Sequence, residues 1–263
     1  MSAAVERREP ARGPGADLRG QVAVVTGGSS GIGLAVVREL GRRGVRVVVA
    51  GRDAARVAAA AASVPEGLGI ADCDVRERGS IESLFAATLA RFGRVDLLVT
   101  SAGLGASPRS RKGLPLALMH LSREEWDDVV DTNLRGAFLC CQVAARLMRE
   151  RGGGQILNVS SAPAARRGYA YAASYCASKH ALNAFSQSLV EELEPHGIRV
   201  ITMLPDMVDT PMVQGTQLTV GGLLRPETVG EFVVDCLAQP WDVRFDQPVV
   251  LPSSAGSYQQ KGH

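Results

Sequence analysis

Within the stretch from Ser160 to Lys179, SSAPAARRGYAYAASYCASK, a hydroxyl, a phenol and an ammonium fall at spacings that proton transfer can use. Tyr175 and Lys179 are four residues apart, so on a helix they share a face and the ammonium would stabilise the phenolate of Tyr175. A tyrosine whose pKa is lowered in this way serves as a general acid or base near neutral pH. Tyr169 and Tyr171 have Ala173 and Tyr175 at the same offset, so neither recruits a lysine. Lysine is scarce, with Lys112, Lys179 and Lys261 the only three, and arginine carries the rest of the positive charge. Taken alone, Tyr-x-x-x-Lys also describes a surface tyrosine beside a solvated lysine, and its surroundings must decide.

The elements that would position this pair begin near the amino terminus. Val22 to Thr26 (VAVVT) is a short continuous apolar run, the pattern of a parallel strand covered on both faces. It leads into GGSSGIG and then the helical pattern LAVVRELGRR. Glycines at 27, 31 and 33 between a strand and a helix permit a tight turn, close approach of a phosphate to backbone N–H groups, and close packing of helix on sheet. Val45 to Ala50 reads as a second strand, and Gly51, Arg52 and Asp53 leave its carboxyl end, where the adenosine ribose lies in such a fold. A helix over Ala54 to Ser63, a strand over Leu68 to Asp72, an amphipathic helix over Ser80 to Phe92 and a strand over Asp96 to Thr100 continue the alternation. That last strand ends in Ser101-Ala102-Gly103.

Ser122-Arg123-Glu124-Glu125 is a capping box opening a helix that runs, with one interruption, to about Arg151, and Asn133 falls inside it. A mid-helix Asn that leaves its own ladder to hold water would be a functional anomaly. Gln155 to Val159 forms a fifth strand with Ser160 and Ser161 at its carboxyl end, followed by a helix over Tyr175 to Glu194. Arg199 to Leu204 is a sixth strand, Pro226 to Ala238 a last helix, and Gln247 to Leu251 a final strand. The expectation is one doubly wound Rossmann-type α/β domain over 20–263, with a parallel seven-stranded sheet flanked by helices. Two connections stand out: Leu104 to Leu121, a variable loop bearing Pro108, Arg109, Arg111, Lys112, Gly113 and Pro115, and the glycine-containing stretch 211–225, read as a lid over a site.

At 263 residues and 46% hydrophobic content the chain has material for one large core. A net charge of +2 lacks the basic bias of a nucleic-acid binder, and no run of eighteen uncharged apolar residues points to a membrane span. The five cysteines have neither zinc-type spacing nor the density of a disulfide scaffold, which points to a reducing compartment and no metal. Residues 1–19, rich in Arg, Ala, Pro and Gly, read as a disordered tail rather than a signal peptide. A cytoplasmic protein with no nucleic-acid or membrane partner is expected.

Thr26-Gly27-x-x-x-Gly31-x-Gly33, Asp74-Val75, Asn133 in NLRGAF, Ser161, Tyr175-x-x-x-Lys179 and Pro205-x-x-Val208-x-Thr210 occur in the order and at the separations of the short-chain dehydrogenase/reductase family. This resemblance covers Leu18 to Leu251. The carboxyl-terminal portion resembles the branch whose members are mostly NADP-dependent and lack a terminal Asp-Gly-Gly. The resemblance implies NADP(H)-dependent interconversion of a ketone and a secondary alcohol, on a small-molecule substrate. In it Tyr175 would be the general acid/base, Ser161 would hydrogen-bond the carbonyl oxygen, and Lys179 would hold the nicotinamide ribose and lower the phenol pKa. Asn133 would position a water linking Lys179 to solvent. Gly27, Ser29, Ser30, Gly31, Ile32 and Gly33 would line the pyrophosphate, Asp74 and Val75 the adenine, and Val208 and Thr210 the nicotinamide carboxamide end, with Ala102, Gly103 and Pro205 also on the cofactor. A cofactor-binding regulator without turnover and an imine reductase are the alternatives.

At the end of the second strand an NAD-preferring enzyme places Asp or Glu, and this chain has Gly51 followed by Arg52, whose guanidinium would bind a 2′-phosphate. Asp53 and the absence of a basic residue in the glycine-rich turn oppose that reading. Three departures from the family stand out. Thr100-Ser101 replaces an Asn-Asn pair that ties the fourth strand to its neighbours, Asp206 replaces a glycine and brings a carboxylate near the substrate, and Ser161 lies fourteen positions from Tyr175, one more than usual. The extra residue predicts a bulged loop and keeps Ser160 as a second candidate. A homo-oligomer, tetramer or dimer, follows from the resemblance and from surplus apolar residues on the helices Trp126 to Arg151 (Val129, Ala137, Phe138, Cys141, Ala145) and Tyr175 to Glu194 (Ala181, Phe185, Leu189).

Overall fold

The computed structural model of the protein describes residues 17–106, 116–214 and 222–253. Strands β1 (Val22–Thr26), β2 (Arg46–Ala50), β3 (Leu68–Ile70), β4 (Leu97–Thr100), β5 (Gly154–Val159), β6 (Ile198–Pro205) and β7 (Val249–Val250) form a seven-stranded sheet in the order β3-β2-β1-β4-β5-β6-β7. Every pairing is parallel. Chain order reverses between β1 and β4, which opens a crevice at the carboxyl ends of the strands. The register brings Thr26 level with Ala50 on one side and Thr100 on the other, and Thr100 level with Asn158, so four strand ends share one edge.

Side chains alternate along each strand and feed two cores. Ala23 and Val25 pack with α1 (Gly31–Arg42), α2 (Ala54–Ala62) and α9 (Pro226–Ala238), while Val24 packs with α3 (Arg78–Phe92), α5 (Gly136–Glu150) and α7 (Ala173–Leu193). Each fully buried aliphatic side chain here is worth about 1.5–3 kcal/mol relative to exposure. The result is the three-layered, doubly wound architecture that the alternating pattern predicts.

The remaining elements sharpen that expectation. The capping box is present: Ser122 Oγ accepts from Glu125 N and the Glu125 carboxylate accepts from Ser122 N, opening α4 (Arg123–Val130). The interruption is a π turn over Asp131–Arg135, which carries Asn133 and passes directly into α5. Two short helices had no periodic signal, α6 (Ala162–Arg166) and α8 (Pro211–Gln214). The last strand is shorter than expected because Gln247 adopts φ 49°, out of the extended region, and only Val249–Val250 pair with β6. Leu18, assigned from sequence to the terminal tail, is 3% exposed and packed in the α1 side core, while 1–16 lie outside the described residues. Residues 107–115, with Pro108, Arg109, Arg111, Lys112, Gly113 and Pro115, and residues 215–221 of the expected lid also lie outside them. Among the described residues no helix is long and apolar enough to cross a membrane.

Candidate active site

The glycine-rich turn is built by steric necessity. Gly27 sits at φ +66°, and a Cβ there would lie 2.7 Å from the Ala102 backbone, so the turn crosses the end of β4 in contact with it. A Cβ on Gly33 would strike the Gly27 carbonyl. These two positions exclude any larger residue. Ser30 is the N-cap of α1 in extended conformation and makes no side-chain capping bond, so the first turn through Gly31, Ile32 and Gly33 offers its N–H groups to the crevice. A Cβ on Gly31 would meet Thr210 Cγ2 at 3.1 Å, so the segment after β6 closes against the turn.

At the ribose end, a Cβ on Gly51 would lie 3.1 Å from Ser29 Oγ, and Arg52 is exposed beside them. Asp53, the residue that argued against a phosphate here, faces its own helix: its carboxylate accepts from Arg56 N at 3.0 Å, capping α2, and pairs with the Arg56 guanidinium at 3.4 Å. Asp74 is gripped by Arg76 at 2.6 Å, and Arg76 reaches Asp128 of α4 at 2.8 Å; the Arg76 hydrogen bonds hold the Asp74 carboxyl below its ordinary range. Val75 is buried against Gly136, where a Cβ would come within 2.6 Å of it. Pro205 pairs with Val250, and Val208 bridges to Leu224, with Asp209 N donating to Leu224 O and Leu224 N to Met207 O. The Asp206 carboxylate accepts from Met207 N at 2.8 Å and so takes part in the turn after β6. Thr210 and α8 bring Met212 over Gly103 and Gly105, with its Cγ 3.4 Å from where a Gly105 Cβ would stand.

Ser161, Tyr175 and Lys179 come together at the carboxyl end of β5. Ser161 is the N-cap of α6, accepting from Ala164 N, and its hydroxyl lies close enough to the Tyr175 phenol to favour the phenolate. Ser160, the second candidate, turns away and donates to the Lys179 carbonyl at 3.4 Å. The fourteen-residue separation is absorbed by α6 and by a bend in which Gly168 and Tyr171 take φ of 73° and 62°. Lys179 is buried, its Nζ donating to Val159 O at 2.8 Å and standing 5.8 Å from the Tyr175 ring centroid.

The electrostatics correct one expectation. Burial pushes the half-buried Tyr175 phenol above its ordinary value, the Ser161 hydrogen bond opposes that, and neighbouring Cys176 adds to it. Lys179 does not pull the phenol down, because its ammonium is directed to the Val159 carbonyl and burial lowers its own pKa to about 8. Asn133 is likewise more committed than its motif implies. Its Oδ1 accepts from Leu104 N at 2.7 Å, and its Nδ2 donates to Leu104 O at 3.0 Å and to Ser178 Oγ at 3.1 Å. Both amide hydrogens are used, so a water bound by this side chain would donate to the second lone pair of Oδ1.

Two participants escaped the sequence reading. Ser178 lies between Tyr175 and Lys179 and joins Asn133 to the Tyr175 carbonyl, to which it donates at 2.8 Å. Asn158, in the apolar run QILNV, is fully buried and accepts from Thr100 Oγ1 at 2.6 Å. The strand tie that Thr100 was expected to forfeit is therefore made by its hydroxyl. A lone polar residue inside an apolar strand was the available signal. Among the described residues no group of three His, Cys, Asp or Glu could hold a metal ion.

A family model described as short chain dehydrogenase matches residues 21–220. A putative ketoacyl reductase of Streptomyces coelicolor is 41% identical over 197 residues, covering 73% of this chain and 72% of that protein. The 3-ketoacyl-(acyl-carrier-protein) reductase of Brucella melitensis, solved with NADH, superposes with a TM-score of 0.79 at 28% identity, covering 89% of this chain and 96% of the other. A variant of the actinorhodin polyketide ketoreductase, solved with NADPH, gives 0.77 at 32% identity, with 90% and 98% covered.

Proposed function

The chain belongs to the short-chain dehydrogenase family, and from that premise we propose that it is an NADP(H)-dependent reductase interconverting a ketone and a secondary alcohol, with Tyr175 as general acid/base. The observation that carries this reading is the convergence of Ser161, Tyr175 and Lys179 at the strand edge that also holds the glycine-rich turn. The crevice suits a dinucleotide: Gly27 and Gly33 leave no room for side chains, and the first N–H groups of α1 would face its pyrophosphate. A bound nicotinamide supplies the hydride.

The chain's own groups do the rest. Ser161 orients the substrate carbonyl oxygen toward the Tyr175 phenol. As the carbonyl carbon accepts hydride, its oxygen takes the phenolic proton, giving the alcohol and leaving a phenolate. Lys179, buried with its ammonium on the Val159 carbonyl, would hold the nicotinamide ribose beside the phenol. Because the phenol is raised rather than lowered, Tyr175 stays protonated through neutral pH, which suits reduction. Gly51 places no carboxylate at the ribose, Asp53 is engaged as a cap, and Arg52 is left to meet a 2′-phosphate, which supports NADP over NAD.

The test is NADPH oxidation against a panel of cyclic ketones, β-keto esters and imines. Turnover of at least one ketone at a higher kcat/KM than any imine is expected. Binding of NADPH without turnover of any member would contradict the enzyme reading.

A further inference from the structure

Just below the candidate site a line of polar groups crosses the protein from strand to strand to helix. Thr100 Oγ1 on β4 donates to Asn158 Oδ1 on β5 at 2.6 Å, and Asn158 Nδ2 donates to Ser186 Oγ on α7 at 2.8 Å. Ser186 Oγ in turn donates to Leu182 O at 2.7 Å, and Cys141 Sγ of α5 approaches Asn158 Oδ1 at 3.6 Å. All four side chains are buried. In this direction every hydrogen on the line is placed: Thr100 gives its own to Oδ1, Asn158 gives one to Ser186 Oγ, and Ser186 gives its own to Leu182 O. Buried polar groups are costly when unpaired, so the line is stable only as a whole.

We propose that Thr100, Asn158 and Ser186 are positioning residues that hold the helix bearing Lys179 in register with the sheet. Asn158 is followed on β5 by Val159, whose carbonyl receives Lys179 Nζ. Ser186 lies seven residues after Lys179, two turns along the same face of α7 and about 10 Å away along its axis. The helix is therefore fastened to β5 at two points, once by the ammonium and once by the polar line. Two other polar ties, Ser160 to the Lys179 carbonyl and Asn133 to Ser178, hold the same end as the ammonium, so without the line the helix would pivot about that end and Tyr175, one turn further on, would move with it. A misplacement of about 1 Å at a reacting group can cost roughly a hundredfold in rate. The inference rests on Lys179 and Tyr175 belonging to the active site, and it adds three groups that touch neither substrate nor cofactor.

With three lysines in the chain, protein labelled with [ε-13C]lysine gives three cross-peaks, and Lys179→Arg identifies that of Lys179. Thr100→Val and Ser186→Ala should each move the Lys179 cross-peak while leaving the other two in place. Each should lower kcat for a ketone accepted by the wild type about tenfold. Thr100→Ser keeps the hydroxyl and should restore both readouts. Thr88→Val removes a buried hydroxyl of α3 that bonds Leu84 O at 2.8 Å, so it lowers stability with no path to Lys179 and should move neither. An unmoved Lys179 cross-peak in Thr100→Val and Ser186→Ala, an equal movement in Thr88→Val, or an unchanged kcat in an active enzyme would overturn the proposal. If Thr100→Val does not fold, Ser186→Ala against Thr88→Val decides the same question. The cross-peak needs no turnover, so a wild type inactive on every ketone would sink the function while the spectra still judge the polar line.

Discussion

Tyr175 and Lys179 carry different burdens, and substitution should separate them. Tyr175→Phe removes the proton donor while leaving the ring's packing, so kcat should fall at least about a hundredfold with NADPH still bound. Lys179→Ala should weaken both turnover and cofactor affinity, measured by steady-state kinetics and nicotinamide fluorescence. Lys179 also leaves a signature in stability. Its pKa is lowered to about 8 in the folded protein, from 10.5, so between these values the unfolded chain binds the extra proton and stability rises with pH. Lys179→Met should therefore melt above the wild type at pH 7, and the gap should narrow as pH rises from about 8 toward 10.5, as calorimetry without cofactor can check. A constant gap would mean that the ammonium is not buried as described. If Arg52 reads the ribose as proposed, the wild type should favour NADPH over NADH by at least about tenfold in kcat/KM, roughly 1.4 kcal/mol, and Arg52→Ala should erase most of it through the KM for NADPH. That Tyr175 and Lys179 share a helix face was legible from spacing, and Ser161 was added by the family resemblance. Their partners were not legible, because Ser178, Asn158 and Val159 meet them only through tertiary packing that spacing does not encode.

At the scale of elements, legibility followed the strength of local signals. The capping box at Ser122 and the proline-led helix Pro226–Ala238 emerge at the expected residues because caps and fixed φ are chemistry of adjacent side chains. Helix α6, at five residues, is too short to show a period, and only Ser161 before Ala162-Pro163 marked its start. The expected helix interruption is a π turn, and its placement at Asn133 follows from three bonds to groups far along the chain. The glycine-rich turn is the element on which the proposed cofactor binding depends. Gly27→Ala places a Cβ at positive φ and 2.7 Å from the Ala102 backbone, so it should cost about 1–3 kcal/mol of stability and at least roughly tenfold in NADPH affinity, measured by thermal unfolding and fluorescence titration. Wild-type affinity in a folded Gly27→Ala protein would mean that the cofactor lies elsewhere.

At the scale of the molecule, one outer face carries a partly exposed aromatic pair. Phe138 is 40% exposed and meets Phe185 edge to face, with ring centroids 6.1 Å apart, above a groove that Ala145 and Leu189 extend along α5 and α7. The surplus apolar residues predicted on these helices divide: Val129 and Cys141 are core, while Phe138 remains outside. A second copy about a two-fold axis would cover this face with its own, and we expect a homo-oligomer that Phe138→Glu dissociates, as light scattering at micromolar concentration would report. The alternating pattern of strands and helices was enough to predict the sheet, because each strand is a short apolar run and each crossover a helix with an apolar stripe. The central claim is that this whole assembly reduces a ketone through Tyr175. Its most direct measurement is NADPH oxidation with a ketone accepted by the wild type, run side by side with Tyr175→Phe under saturating cofactor: the account predicts alcohol formed one for one with NADPH consumed by the wild type and a loss of at least about a hundredfold in the variant, whereas a variant that keeps more than about a tenth of the wild-type kcat would contradict it.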